Sequence, residues 1–181
     1  LMEKFRLDSS LNKRYKALSD GQKKQFGLVM ALSHHPRLLL LDEPTANLDP
    51  LVREEILQLI AEMMEEERMT VFFSTHITSD LDKVADYVIL LDHGRMIFQK
   101  EKEGLVAGCR VVKGRNELLS GEVAEKFVYL NRSEFGFTGL TETPAQVYDL
   151  LGEEAVYERP NIEEIFLYYT KREREGKTWR Q

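Results

Sequence analysis

An open α/β sheet is the fold this sequence predicts for residues 1–104, and three observations predict it. The segments Leu38 to Leu41, Thr70 to Ser74 and Tyr87 to Leu91 have strand length and carry apolar runs, as strands covered on both faces do. The stretches between them have helical periodicity. Strand, helix, strand, helix, strand in that order gives parallel strands joined by right-handed crossovers, with their carboxyl ends on one edge.

The elements follow in order. Leu1 to Leu7 has the spacing of a helix tail, and Asp8 to Leu18 is a polar, basic loop. A helix over Gln22 to Leu32 repeats Phe26, Val29, Met30 and Leu32, and His34-His35-Pro36 ends it, because the residue before proline is pushed out of the helical region. Asp49-Pro50 opens the next helix, with aspartate as cap and proline at the first position. Its buried stripe is expected at Val52, Ile56, Leu59, Ile60 and Met63. A short helix capped by Thr78 or Ser79 follows the second strand. Asp92-His93-Gly94 turns the third strand into a hairpin partner at Met96 to Gln99.

Composition shifts near Gly104, so residues 105–181 form a separate, small accessory α+β region. Its strand candidates are Arg110 to Val112, Phe127 to Leu130 and Ala155 to Glu158. A helix runs from Thr143-Pro144 to Gly152. A last helix starts at Asn161, with Glu164 completing a capping box and Ile162, Ile165, Phe166 and Tyr169 as its apolar face. From Lys171 the tail is mostly charged and is expected to fray.

The chain has 181 residues and a formal net charge of −6. Its basic residues form no long block, so a general nucleic-acid partner has no electrostatic support. The single cysteine, Cys109, excludes an intrachain disulfide. No apolar run reaches the roughly 18 residues of a membrane span.

Chemistry concentrates at four places. Asp42-Glu43 follows four leucines and so sits at a strand's carboxyl end, where open α/β folds bind ligands. Two adjacent carboxylates there are costly unless paired or facing a cation. Such an aspartate can hold Mg²⁺ beside nucleotide phosphates, and Glu43 can polarise a water; taken alone, the pair could equally cap a loop. Leu18-Ser19-Asp20-Gly21-Gln22 precedes a helix that Ser19 or Asp20 can cap and whose N-terminus favours an anion; alone it is an ordinary cap. Ala46-Asn47-Leu48-Asp49 links strand to helix. His76 ends the second strand on the edge that carries Glu43.

Together these residues resemble the ATPase subunit of an ATP-binding cassette (ABC) transporter. Leu18 to Gln22 resembles the signature LSGGQ, Leu38 to Glu43 Walker B with its catalytic glutamate, Ala46 to Asp49 the D-loop, and His76 the switch histidine. Asn161 to Phe166, before Tyr168-Tyr169, resembles the final helix of exporter-type cassettes. The resemblance implies part of a P-loop NTPase (RecA-like) sheet with its signature helix. It implies the cofactors ATP and Mg²⁺ and a head-to-tail pair with a second ABC ATPase subunit. It also implies a transmembrane permease partner, no nucleic acid, and the cytoplasmic face of the cell membrane. On that pattern Asp42 supports Mg²⁺, Glu43 activates water and His76 steadies the γ-phosphate. Ser19, Gly21 and Gln22 meet ATP held by the partner, and Asp49 couples the two sites.

Two departures stand out. Asp20 replaces a signature glycine and is expected to point away from the phosphate and cap the helix. The sequence has no G-x-x-x-x-G-K-[ST]. Gly176-Lys177-Thr178 follows Lys171 where that motif needs glycine, and no strand precedes it. The chain is therefore expected to be a C-terminal part of a longer ATPase, inactive alone. Driving membrane transport, most readily export, is the leading function. A soluble ABC-superfamily ATPase of translation or chromosome type, or a non-enzymatic dimerisation or regulatory piece, are the alternatives.

Overall fold

The computed structural model describes residues 14–67 and 69–175. The chain divides into two compact units, Leu1–Val84 and Ala85–Gln181. The expected helix tail at Leu1 to Leu7, most of the loop after it, and Gly176-Lys177-Thr178 lie outside the described residues.

In the first unit, helix α1 spans Asp20–Leu32. Strand β1, Leu38–Asp42, runs parallel to β2, Thr70–Ser74, with Leu38 opposite Thr70 and Asp42 opposite Ser74. Helix α2, Pro50–Glu67, makes the crossover between them. Asp49 caps it as expected: its Oδ1 accepts the N–H groups of Leu51 and Val52, each at 3.1 Å. Ile56, Leu59, Ile60 and Met63 of α2 pack with Leu28, Val29 and Leu32 of α1 and with Leu39 of β1. The expected stripe is therefore the core, with Val52 partly buried at its end. Helix α3, Thr78–Val84, begins at the residue expected to cap it.

Two features differ from the expected sheet. Among the described residues, β1 and β2 pair only with each other. Both α1 and α2 gather on the Leu39 side, so Leu38, Leu40 and Phe72 remain 54%, 67% and 56% exposed. The strands are thus covered on one face, not two. In addition, β3, Tyr87–Asp92, is not a further parallel strand; it pairs antiparallel with β4, Arg95–Glu101. His93 and Gly94 both have positive φ, +46° and +74°, as a two-residue type I′ turn demands.

The second unit holds this hairpin, helix α4 at Lys102–Gly108 and a four-stranded antiparallel sheet. The sheet strands are β5 (Arg110–Gly114), β6 (Phe127–Ser133), β7 (Gly136–Thr141) and β8 (Val156–Glu158), in the order β6-β7-β5-β8. Helices α5 (Gly121–Ala124) and α6 (Pro144–Leu151) bury Val123, Val147 and Leu151 against Val112, Leu130 and Phe137. Helix α7, Ile162–Glu175, has the expected capping box: Glu164 N–H donates to Asn161 Oδ1 at 2.8 Å and Asn161 N–H to Glu164 Oε2 at 3.0 Å.

Phe98 of β4 meets the rings of Phe166 and Tyr169 edge-on, with centroids 5.7 and 4.8 Å away. That packing draws the hairpin into the second unit, which therefore starts ahead of the composition shift near Gly104. The stretch from Lys171 to Glu175 is helical, contrary to the fraying expected of it. Arg174 Nη2 donates to Asp92 Oδ1 at 3.0 Å, and the Tyr129 hydroxyl donates to Glu175 at 2.5 Å. The bond to Arg174 holds the Asp92 carboxyl below its ordinary pKa, and the bond to Glu175 pushes the Tyr129 phenol up to about 12. Strand β7 was not expected from sequence, and its two glycines explain why. A Cβ at Gly139 would stand 2.6 Å from side-chain carbons of both Leu130 and Phe127. The packing requires glycine in a central strand, against strand propensity.

Candidate functional site

The parallel register sets the site. Asp42 closes β1 directly opposite Ser74, which closes β2. Ser74 Oγ donates to Asp42 Oδ1 at 2.6 Å. The Glu43 N–H, just past the strand, reaches Ser74 Oγ at 3.1 Å and Ser74 O at 3.2 Å. Both strands thus end on one edge, as the crossover argument predicted. Glu43 then turns sharply, with φ +47°. A non-glycine residue held there costs about 1–3 kcal/mol and persists only when its surroundings impose it.

That turn brings the Glu43 carboxylate to His76. Nδ1 of His76 lies 2.8 Å from Glu43 Oε2. Among the described residues, this oxygen has no hydrogen-bond partner although the atom itself is shielded from water. The geometry is therefore a close charge contact, not an aligned hydrogen bond, and it becomes an ion pair when the imidazole is protonated. Glu43 is about a third exposed and His76 mostly exposed, so the pair faces outward from the strand edge.

The segment Leu18 to Gln22 lies at the head of α1. Ser19 is the cap: its Oγ accepts the Gln22 N–H at 3.2 Å, and Gln22 Oε1 accepts the Ser19 N–H at 3.1 Å. This is a capping box with glutamine at its third position. A hydroxyl that accepts from inside the helix keeps its O–H for donation outward. The helical pattern also leaves the first N–H groups without intrahelical acceptors. Asp20 is the first helical residue, not the cap, and its carboxylate pairs with Lys23 at 3.0 Å on the exposed surface. Gly21 is closely packed: a Cβ there would meet Val52 Cγ1 of α2 at 3.0 Å, so Val52 would have to shift by a few tenths of an ångström.

Three connections had no signal in the sequence. Lys24 Nζ crosses from α1 to donate to the carbonyl oxygens of Glu43, at 2.9 Å, and Ala46, at 2.6 Å. Thr45 Oγ1 donates to Asp80 Oδ2 at 2.5 Å, and Arg53 Nε to Asp80 Oδ1 at 2.6 Å. Arg53 Nη2 also reaches Ser79 Oγ at 2.7 Å. Thr45 and Asp80 are fully buried, so the loop from Glu43 to Asp49 is tied to both α2 and α3. Ser74 alone was discoverable, as the register partner of Asp42 once the two strands are paired in parallel.

Comparisons with known proteins show what the chain is similar to. A family profile described as "AAA domain, putative AbiEii toxin, Type IV TA system" matches residues 8–81. The Nod factor export ATP-binding protein I of Rhizobium etli is 31% identical over 188 residues, covering 97% of this chain and 58% of that protein. The chain thus spans less than two thirds of the length of such relatives. Among solved structures, cbiO1 from Clostridium perfringens, part of the ABC transporter complex cbiONQ, is similar with a TM-score of 0.52 and 33% identity. That match covers 59% of this chain and 42% of the other. A dimeric post-hydrolysis state of an ATP-binding cassette bound to ADP and Pi is similar with a TM-score of 0.50 and 27% identity, over 55% of this chain and 44% of that one. The mixed α/β fold is that of these neighbours.

Proposed function

From the premise that this chain's homologues are ABC-transporter ATP-binding proteins, we propose that it carries the hydrolysing half of an ATPase driving membrane transport, in the export direction. The observation that carries this reading is the Glu43–His76 contact at 2.8 Å beside Asp42, on the carboxyl edge of two parallel strands. Glu43 Oε2 is shielded against His76, while the side chain as a whole stays about a third exposed to solvent. A carboxylate so placed can take a proton from a water. The outward face of His76 is then the group that meets a γ-phosphate.

Asp42 fits a weak Mg²⁺ ligand. Among the described residues, no group of three or more His, Cys, Asp or Glu gathers to hold an ion by itself, and Ser74 already orients one Asp42 oxygen. A cation that keeps most of its shell from phosphate and water suits a single carboxylate. Mg²⁺, when bound, neutralises charge on the transferring phosphate. Ser19, Gly21 and Gln22 form the surface that meets ATP held by a second cassette. Asp49 caps α2 at the end of the loop that would cross to that partner. On this reading the first unit is the second half of the nucleotide-binding domain, and residues 105–181 are an accessory region that shares a compact unit with the β3–β4 hairpin. Among the described residues no helix is long and apolar enough to cross a membrane. A separate permease at the cytoplasmic face supplies the pathway on this reading. With no phosphate-gripping glycine loop in its sequence, the chain alone turns over no ATP.

The test is Glu43→Gln in the intact ATPase. The amide keeps the shape but cannot take a proton, so turnover falls by about 10²–10⁴-fold while ATP stays bound. Turnover at the wild-type rate removes Glu43 from the catalytic role.

A further inference from the structure

We propose that Lys24 is a positioning residue for the hydrolytic loop, holding the backbone at Glu43 in the conformation from which its carboxylate reaches His76. The inference rests on the role given to Glu43 above. Glu43 occupies the left-handed region, φ +47°, and Asn47 does so again at +59°. Asparagine takes this region readily, but a glutamate does not, so the surroundings must impose it at Glu43. On the amino side, Ser74 holds the Glu43 N–H through its hydroxyl and its carbonyl. On the carbonyl side, the Glu43 oxygen accepts from Ala46 N–H at 3.3 Å, a long bond, and from Lys24 Nζ at 2.9 Å. The same ammonium reaches Ala46 O at 2.6 Å.

One cation therefore closes both ends of the Glu43 to Ala46 turn. Charge-assisted bonds from a partly buried ammonium are stronger than the neutral bond they accompany. Thr45, between the two carbonyls, is held independently by Asp80. With that anchor in place, loss of Lys24 frees the carbonyls of Glu43 and Ala46 without unfolding the loop. Lys24 lies in the first turns of α1, two residues after Gln22. It thus joins the helix whose N-terminus meets the partner's nucleotide to the carboxylate that acts on the subunit's own. A shift of α1 would reach Glu43 through this side chain.

The experiment compares Lys24→Met, Lys24→Arg and Glu43→Gln in the intact ATPase, measuring kcat, KM for ATP and Tm. Lys24→Met is expected to lower kcat about tenfold or more through misplacement of the carboxylate, with KM changed less than about twofold because the ATP-gripping groups are untouched. Lys24→Arg, which still donates, recovers most of kcat. In the Glu43→Gln background, Lys24→Met has no further effect on the residual rate. If Lys24→Met keeps the wild-type kcat while Glu43→Gln is inactive, the positioning role is wrong and the functional reading survives. A Lys24→Met loss that tracks a fall in Tm and is not recovered by arginine makes Lys24 structural and also overturns the proposal. If Glu43→Gln itself turns over normally, the functional reading fails first.

Discussion

The two units solve the same burial problem to different degrees. The second unit closes its core: Val112, Leu140, Val147, Ile162 and Ile165 have essentially no exposure. Every strand of its four-stranded sheet has a partner, and Gly139 of β7 leaves room for the side chains of Leu130 and Phe127. The first unit buries only one side of a two-stranded sheet and leaves Leu38, Leu40 and Phe72 in water. Yet the candidate chemistry belongs entirely to that unit. The difference teaches that the site's local geometry does not depend on a finished sheet. It depends on a cap, a register pair and two polar ties that hold the loop after β1.

The largest expected effect breaks those ties. Asp80 is fully buried between Thr45 and Arg53. Asp80→Ala strands a guanidinium and a hydroxyl, costing about 3–5 kcal/mol; denaturant unfolding of the chain measures it. A loss below about 1 kcal/mol would mean the ties are ornamental and the first unit rests on its apolar core alone. Next in size is Ile165→Ala in the second unit, expected to cost about 2–5 kcal/mol because the packed core cannot collapse around the cavity. Chemical denaturation followed by a second-unit probe checks this. Indifference there would erase the contrast between a closed and an open core.

Leu40→Ser sharpens the comparison from the other side. In this chain it should leave stability within about 0.5 kcal/mol, since the side chain already meets water. In a longer polypeptide that supplies further strands, a cost of about 2 kcal/mol or more would mean that the same face is covered there. The smallest effect concerns Cys109. Burial pushes its thiol up to about 11, so the folded form holds it protonated at neutral pH, where the thiol is a poor nucleophile. A thiol reagent should label it only as fast as the second unit opens. The raised value means this contribution to stability is present below the ordinary thiol pKa and is lost as pH climbs toward 11. Immediate labelling in native buffer would contradict the closed core.

Much of this was legible in the sequence, and the reasons are local. Four leucines ending in Asp42-Glu43 announce a strand end, Asp49-Pro50 a helix start, His93-Gly94 a tight hairpin and Asn161 to Glu164 a capping box. Each signal lies within a few residues of what it controls. The rest depends on distant pairs. Nothing in one dimension says that Lys24 reaches Glu43, that Asp80 needs Arg53, or that Phe98 settles the β3–β4 hairpin beside α7. The open sheet face was also illegible, because an apolar strand looks the same whether one face or two are covered. The cap of α1 shows the limit of motif logic: Ser19 and Asp20 are both candidates in sequence, and only the folded chain makes Ser19 the cap.

On the proposed function, the chain holds the residues that hydrolyse ATP without those that grip it. Calorimetric titration of the 181-residue chain with Mg-ATP tests this most directly. The expected result is no saturable heat at concentrations up to about 1 mM, since the glycine-rich phosphate cradle is not in the sequence. A stoichiometric isotherm with micromolar affinity would contradict it.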